Sequence, residues 1–190
     1  MIRRTVLGMS LLCGLACSVT QGQPGDSIEW RTGSTTGNPF EIRLVSSGSE
    51  LKAVLANRSS SEQVLLYHEY LQTSSIELVS STGQQPNPKP YDSRLIMKVD
   101  SKPYCRLFQK LGPGKKLEIG TLSLRKSRDG YAGQWGPYNF DEVAAGDYHA
   151  RVIWHSERSQ CLDESTQQMR KLTSAWKGMV RSNQITVHLP

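Results

Sequence analysis

Apolar and polar residues alternate along most of the chain from residue 40 onward. Phe40, Ile42 and Leu44 are separated by charged residues, and a second alternating run at 51–56 follows the polar stretch 46–49. A period of two is typical of strands with one buried face, so these two runs predict a β-hairpin. The same criterion predicts further strands at residues 63–71, 75–80, 94–99, 116–124, 148–154 and 184–189.

The number and spacing of these segments indicate the fold class. Eight short strands in about 150 residues, with no amphipathic helix between them, predict an all-β, antiparallel β-sandwich. Three connections are longer, the proline-containing segment 83–92 and the segments 125–141 and 155–183, and loops as long as the last two, the first and second long connections, often carry function. Within the second long connection, Met169, Leu172 and Trp176 lie at helical spacing and predict at most a short helix near residues 165–176.

The amino-terminal residues do not follow the strand pattern. Arg3 and Arg4 precede an apolar run at residues 5–16, which small and polar residues follow. This order is typical of a secretory signal, so we expect residues 1–22 to be a signal peptide. Its removal would lower the formal net charge from +6 to +4, because two arginines leave with it.

Processing of this signal has two routes that the sequence leaves open. Cleavage near residues 20–22 fits the small residues there, whereas the stretch that ends at Cys17 resembles a bacterial lipobox and favours lipidation of that cysteine. With either route we expect a flexible segment at 23–39 and one folded domain at 40–190. The predicted location is extracytoplasmic, secreted or periplasmic, and the only predicted membrane contact is a lipid anchor at Cys17.

Two cysteines, Cys105 and Cys161, remain in the folded domain. An even pair in an exported chain predicts one disulfide. A zinc site is the competing explanation, but neither cysteine has a second Cys or His at the short spacing that zinc ligands use. We therefore expect a Cys105–Cys161 disulfide and no metal.

Basic residues concentrate in the middle of the chain. Residues 89–128 contain eleven Lys or Arg against three acidic residues. Such a face attracts an anionic partner, although lysines on edge strands also prevent sheets from aggregating. Nucleic acid is not an expected partner, because aromatic residues do not alternate regularly with the cations. The candidate basic face comprises Lys98, Lys102, Arg106, Lys110, Lys115, Lys116, Arg125, Lys126 and Arg128.

Aromatic residues are few, at 7%, but several of them fall in the long connections. Tyr131, Trp135 and Tyr138 lie in the first, and Trp176 and Lys177 lie in the second. Flat rings on loops can hold a sugar ring or anchor a protein partner. The alternative is that the rings fold back and close the end of the sandwich. We take these five residues as binding candidates.

Sequence patterns of catalytic sites are scarce. His68 precedes a glutamate but lacks the second histidine that a zinc peptidase helix needs. His149 and His155 are about 20 Å apart along one strand, too far to share an ion. The chain has no nucleophile elbow, phosphate loop or dinucleotide fingerprint. We therefore predict no catalytic residues, no cofactor and no enzymatic activity.

Turn motifs give the domain a family resemblance. The Gly-Asp-Tyr motif that ends at Tyr148 resembles the corner of immunoglobulin-like domains, where a tyrosine hydroxyl bonds to the backbone upstream. Together with the turn at 111–115, it is similar to secreted bacterial immunoglobulin-like domains, and the layout resembles BsuPI-type proteinase-inhibitor domains. The resemblance covers residues 40–190 and implies an immunoglobulin-like sandwich. It carries over no inhibitory residues, and Ala150 stands where antibody-type domains have a cysteine.

The expected function is that of a non-enzymatic, extracytoplasmic binding domain. Its long loops, at 125–140 and 156–183, would contact a protein or an anionic envelope component. Two alternatives stay open: a proteinase inhibitor that inserts one loop into a protease cleft, and a hydrolase directed at the cell wall. The sequence makes no prediction of the oligomeric state.

Overall fold

The computed structural model of the 190-residue chain describes residues 37–67, 73–90 and 102–190. Several sequence predictions lie outside the described residues. These are the signal peptide at 1–22, the lipidation site Cys17, most of the segment 23–39, Lys98 and the strand at 94–99.

The described residues form an all-β fold in which the paired strands are antiparallel, which confirms the predicted fold class. Strands are more numerous than the eight expected, because both long connections contain strands of their own. They are β1 Phe40–Ser47, β2 Glu50–Asn57, β3 Gln63–Leu66, β4 Ser74–Ser80, β5 Lys89–Pro90, β6 Phe108–Leu111, β7 Lys116–Ser123, β8 Arg125–Ser127, β9 Gly130–Trp135, β10 Tyr138–Val143, β11 Gly146–Ser156, β12 Gln160–Asp163, β13 Gln168–Lys171, β14 Gly178–Arg181 and β15 Ile185–Leu189.

The sheets surround one apolar core in a sandwich-like arrangement. One sheet has the order β1-β2-β7, and a second has β11 at its centre, with β4 on one side and β14 and β15 on the other. A third has the order β5-β10-β9-β8, and its strand β9 packs along β7. The strand pairs β3-β6 and β12-β13 form two smaller sheets. Buried side chains from the first three sheets belong to a single cluster.

Strand β11 shows how alternation in the sequence becomes a buried face. Tyr148, Ala150, Val152 and Trp154 are buried, whereas the residues between them are exposed or half-buried. The hydroxyl of Tyr148 donates a hydrogen bond of 3.0 Å to the carbonyl oxygen of Ala144. This bond is the one that the immunoglobulin-like corner implies for a tyrosine at this position.

Residues 165–176 contain no helix, and the chain there is the end of a hairpin followed by a turn. The amide of Leu162 donates to the carbonyl oxygen of Pro103 at 2.8 Å, which holds β12 in an extended conformation. Helical spacing of Met169, Leu172 and Trp176 has no structural counterpart, because only Trp176 packs against the core. Among the described residues, the one helical segment is a 3-10 turn at Cys105–Leu107.

Candidate functional site

The Gly-rich connection expected at 125–140 folds as the strands β8, β9 and β10. Trp135 is 0% exposed and Tyr131 is 6% exposed, because β9 directs both rings into the core. Tyr138 is half-buried, and this burial raises the pKa of its hydroxyl. In this conformation Trp135 offers no surface to a ligand and Tyr131 offers very little. Their burial agrees with the alternative in which these rings close the sandwich.

Trp176, the aromatic candidate in the second connection, also packs against the core. Its ring stacks on that of Trp154 with a centroid distance of 4.9 Å and an interplanar angle of 9°. The ring of Phe40 meets it edge-on at 5.2 Å. Trp176 therefore leaves only part of its surface to a partner, while its neighbour Lys177 is exposed.

The basic residues do not form one continuous face. Lys115 and Lys116 lie at the start of β7, whereas Arg125, Lys126 and Arg128 follow its end. A strand rises about 3.3 Å per residue, so β7 separates these two groups by more than about 20 Å.

The remaining basic candidates have different surroundings. Lys110 forms an ion pair of 3.0 Å with Glu62, and Arg106 forms one of 3.0 Å with Glu164. The guanidinium of Arg106 also lies 5.1 Å from the ring centre of Tyr104. Lys102 is exposed.

A groove with a volume of about 550 Å³ lies beside the second group of cations, on the face of the third sheet that is turned away from the core. Its lining is polar apart from small residues, and it opens to solvent. We call it the polar groove. It is lined by Thr121, Ser123, Arg125, Lys126, Ser127, Ala132, Gly133, Gln134, Asn139 and Asp141.

One wall of the polar groove comes from β7 and β8, which follow each other with one residue between them. Leu122 and Leu124 are buried in the core, at 0% and 2% exposure. The odd-numbered residues from 121 to 127, three hydroxyl side chains and one arginine, all line the groove. Alternation therefore continues across the junction of the two strands and places a cation in line with three hydroxyl groups.

The floor and the second wall come from β9 and β10. Ala132 pairs with Arg125 across the sheet, and Gln134 pairs with Asn139. A Cβ atom at Gly133 would lie 2.7 Å from the carbonyl oxygen of Ser123. It would also meet the side chains of the buried Leu122 and Leu124, so only glycine lets β9 approach β7 this closely on the side of the core.

The two walls carry different charges. Arg125, Lys126 and Arg128 are exposed and form no ion pair with the described part of the chain. On the other wall, the carboxylate of Asp141 lies 4.0 Å from the ammonium of Lys89.

The first wall ends at an ion pair near Thr121. Glu118 pairs with Lys52 and accepts a hydrogen bond of 2.8 Å from the hydroxyl of Thr121. The hydrogen bonds from Lys52 and Thr121 lower the pKa of the Glu118 carboxyl. Glu118 itself does not line the groove, and Asp141 is the one acidic residue in its lining.

A second exposed feature is the β12–β13 hairpin, Gln160–Lys171, which we call the exposed hairpin. The predicted disulfide is present and joins Cys161 in the hairpin to Cys105, with a Cα–Cα distance of 4.8 Å. All four residues of β13 are exposed. The ion pair between Glu164 and Arg106 adds a second link to the same neighbouring segment.

Asp163 organises the turn of the exposed hairpin. Its carboxylate accepts hydrogen bonds from the hydroxyl of Ser165 at 2.6 Å and from the amide of Ser165 at 3.0 Å. Arg170 donates a third, at 3.1 Å. These hydrogen bonds, that of the Ser165 hydroxyl first, lower the pKa of Asp163 from 3.8 to about 2.

Sequence reasoning missed the second wall of the groove. Thr121 and Ser123 alternate with leucines and continue to Arg125, so this half was open to detection as the polar face of a strand. Asn139 and Asp141 carry no such signal. Their place opposite Arg125 depends on how β10 pairs with β9.

Within the described ranges, no group of three or more His, Cys, Asp or Glu residues could hold a metal ion. No helix among those residues is both long enough and apolar enough to span a membrane. No protein-family model, curated protein or solved structure matches the chain.

Proposed function

We propose that this chain is a non-enzymatic, extracytoplasmic binding domain that holds an anionic envelope component at the polar groove. The observation that carries the proposal is that two exposed cations, Arg125 and Lys126, line the groove and that exposed Arg128 directly follows the lining residue Ser127. Guanidinium and ammonium groups that lack an internal partner can pair with carboxylates or phosphates of a ligand. The disulfide is compatible with an extracytoplasmic location.

The packing behind the groove supports a role of these cations in ligand binding, because it holds the strands that carry them in place. Leu122, Leu124 and Trp135 fill the core directly beneath it. Side chains on packed strands keep their positions better than side chains on loops, so less ordering is needed when a ligand binds.

A charge-matched pair of triple variants tests this proposal. In the groove variant, Arg125→Gln, Lys126→Gln and Arg128→Gln remove three positive charges next to the cavity. In the control, Lys110→Gln, Lys115→Gln and Lys116→Gln remove the same charge from residues outside the groove lining, one in β6 and two at or just before the start of β7. Calorimetric titration with a trimer of galacturonic acid and with tripolyphosphate measures affinity at two salt concentrations.

We expect the groove variant to lose affinity about tenfold or more, and the control to change it less than about twofold. Equal losses in both variants would show that only net charge matters and would contradict a site at the groove. No binding of either anion to the wild-type protein at millimolar concentration would also contradict the proposal.

The exposed hairpin favours a second candidate function, proteinase inhibition. An exposed segment held in one conformation by the Cys105–Cys161 disulfide can enter a protease cleft without much loss of entropy. The layout similar to BsuPI-type domains points the same way. The test is a panel of serine and cysteine proteases with the wild-type protein and a Cys105→Ala/Cys161→Ala variant. Inhibition that weakens in the variant supports this function, and no inhibition at micromolar concentration contradicts it.

A further inference from the structure

The two walls of the polar groove carry different functional groups, and these groups restrict the kind of ligand that can bind to both walls. Strands β8 and β10 lie on either side of β9, so their backbones are about 10 Å apart. One wall presents Arg125 and Lys126, and the other presents the amide of Asn139 and the carboxylate of Asp141. A ligand that spans the groove therefore meets cations on one side and, on the other, hydrogen-bond acceptors, of which Asp141 also pairs with Lys89.

The floor between these walls is low at Ala132. This residue lies between Arg125 and the β10 wall, and its side chain is a single methyl group, which leaves room for a ring. The remaining floor residue, Gln134, has its amide nitrogen bonded to the carbonyl oxygen of Gly136 at 2.9 Å. Its side-chain oxygen keeps its acceptor capacity for a ligand.

Asn139 has capacity for a ligand as well. It is half-buried, and its side-chain amide makes no hydrogen bond with the described residues. An amide and a carboxylate side by side can each accept hydrogen bonds from neighbouring hydroxyl groups, and the amide can also donate. This combination suits adjacent hydroxyls on a sugar ring.

Other anions fit the groove less well. Tripolyphosphate and the phosphates of a membrane surface carry negative charge but no hydroxyl donors for Asp141, which would repel them. A peptide segment would bury apolar side chains, but the only apolar side chain in the lining is that of Ala132.

We infer that the polar groove binds a carboxylated saccharide, a segment of a uronic-acid-containing chain, with its carboxylate at Arg125 and Lys126 and its ring hydroxyls at Asn139 and Asp141. This inference rests on the proposed function and adds the class of ligand. The groove is open rather than enclosed, which suits a section of a longer chain.

The inference is tested with a double variant in β10, Asn139→Ala combined with Asp141→Asn. This variant changes the second wall and leaves all three cations in place. Asn139 has no hydrogen bond to lose within the described residues, and the Asp141–Lys89 pair is exposed, so we expect a folded protein. Thermal melting verifies this. Lys115→Gln is the control for an unrelated surface change. The probes are a trimer of galacturonic acid, a neutral galactose trimer, tripolyphosphate and a peptide of alternating Glu and Lys.

We expect the galacturonic acid trimer to bind the wild-type protein at least about tenfold more tightly than any other probe, since it alone satisfies both walls. We expect the affinity of the β10 variant for this trimer to be about tenfold lower than that of the wild-type protein. Its affinity for tripolyphosphate should be equal to the wild-type value or higher. Equal affinity of the variant for the trimer, or stronger wild-type binding of the peptide or tripolyphosphate, overturns the saccharide inference and leaves the anionic site standing. Absence of binding by every anion overturns the proposed function itself.

Discussion

The polar groove and the exposed hairpin arise from the two segments that the sequence marks as long connections, but they are held in place differently. Behind the groove, Trp135, Leu122 and Leu124 are buried in the main core. The hairpin has little apolar backing, and a disulfide and polar contacts hold it. An exposed surface of this protein can therefore be held in position either by packing on the core or by a covalent link.

The largest expected effect comes from removing the packing behind the groove. Trp135→Ala should lower the free energy of unfolding by about 3–5 kcal/mol, because it deletes a fully buried ring and leaves a cavity under β9. Urea denaturation measures this loss. Trp176→Ala is the control and should lose less, since its ring is only half-buried. A loss below about 1 kcal/mol for Trp135→Ala would contradict the role of packing.

A smaller effect is expected from removing the covalent link. Cys105→Ala combined with Cys161→Ala should lower the free energy of unfolding by about 2–4 kcal/mol, because the disulfide closes a long loop. Amide hydrogen exchange should accelerate within the exposed hairpin while ligand affinity at the groove stays unchanged. If this variant bound ligand at the groove more weakly but kept slow amide exchange in the hairpin, the disulfide would support the groove and not the hairpin, contrary to our expectation.

The smallest expected effect is a pH dependence of the free energy of unfolding, which arises in the exposed hairpin. The pKa of Asp163 in the folded protein, about 2, lies below its ordinary value of 3.8. Its ionised form therefore stabilises the fold above about pH 4, and this contribution is lost as the pH falls through about 2. Asp163→Asn should abolish the dependence. Carboxyl carbon resonances report the titration, and a midpoint near 3.8 would contradict the hydrogen-bonded turn.

Much of the fold could be predicted because burial follows local alternation. The buried face of β11 is visible as Tyr148, Ala150, Val152 and Trp154. The pair Cys105 and Cys161 was predictable because no other cysteine remains in the folded domain.

The rest depends on contacts between distant parts of the chain. Whether Trp135 faces the core or a ligand depends on Gly120 of β7, above which the indole lies. The helical spacing of Met169, Leu172 and Trp176 predicted a short helix, but Met169 pairs with Leu162 across the β12–β13 hairpin instead. The groove joins Ser123 to Asp141 only through the pairing of the intervening strands, which periodicity does not reveal.

Chemical-shift mapping with the galacturonic acid trimer tests the central claim most directly, because it compares the two regions in one experiment. We expect amide shifts to change at Arg125, Ala132, Gly133 and Asn139, and to stay constant throughout the exposed hairpin. Changes confined to residues 160–171, with none at the groove, would contradict the account.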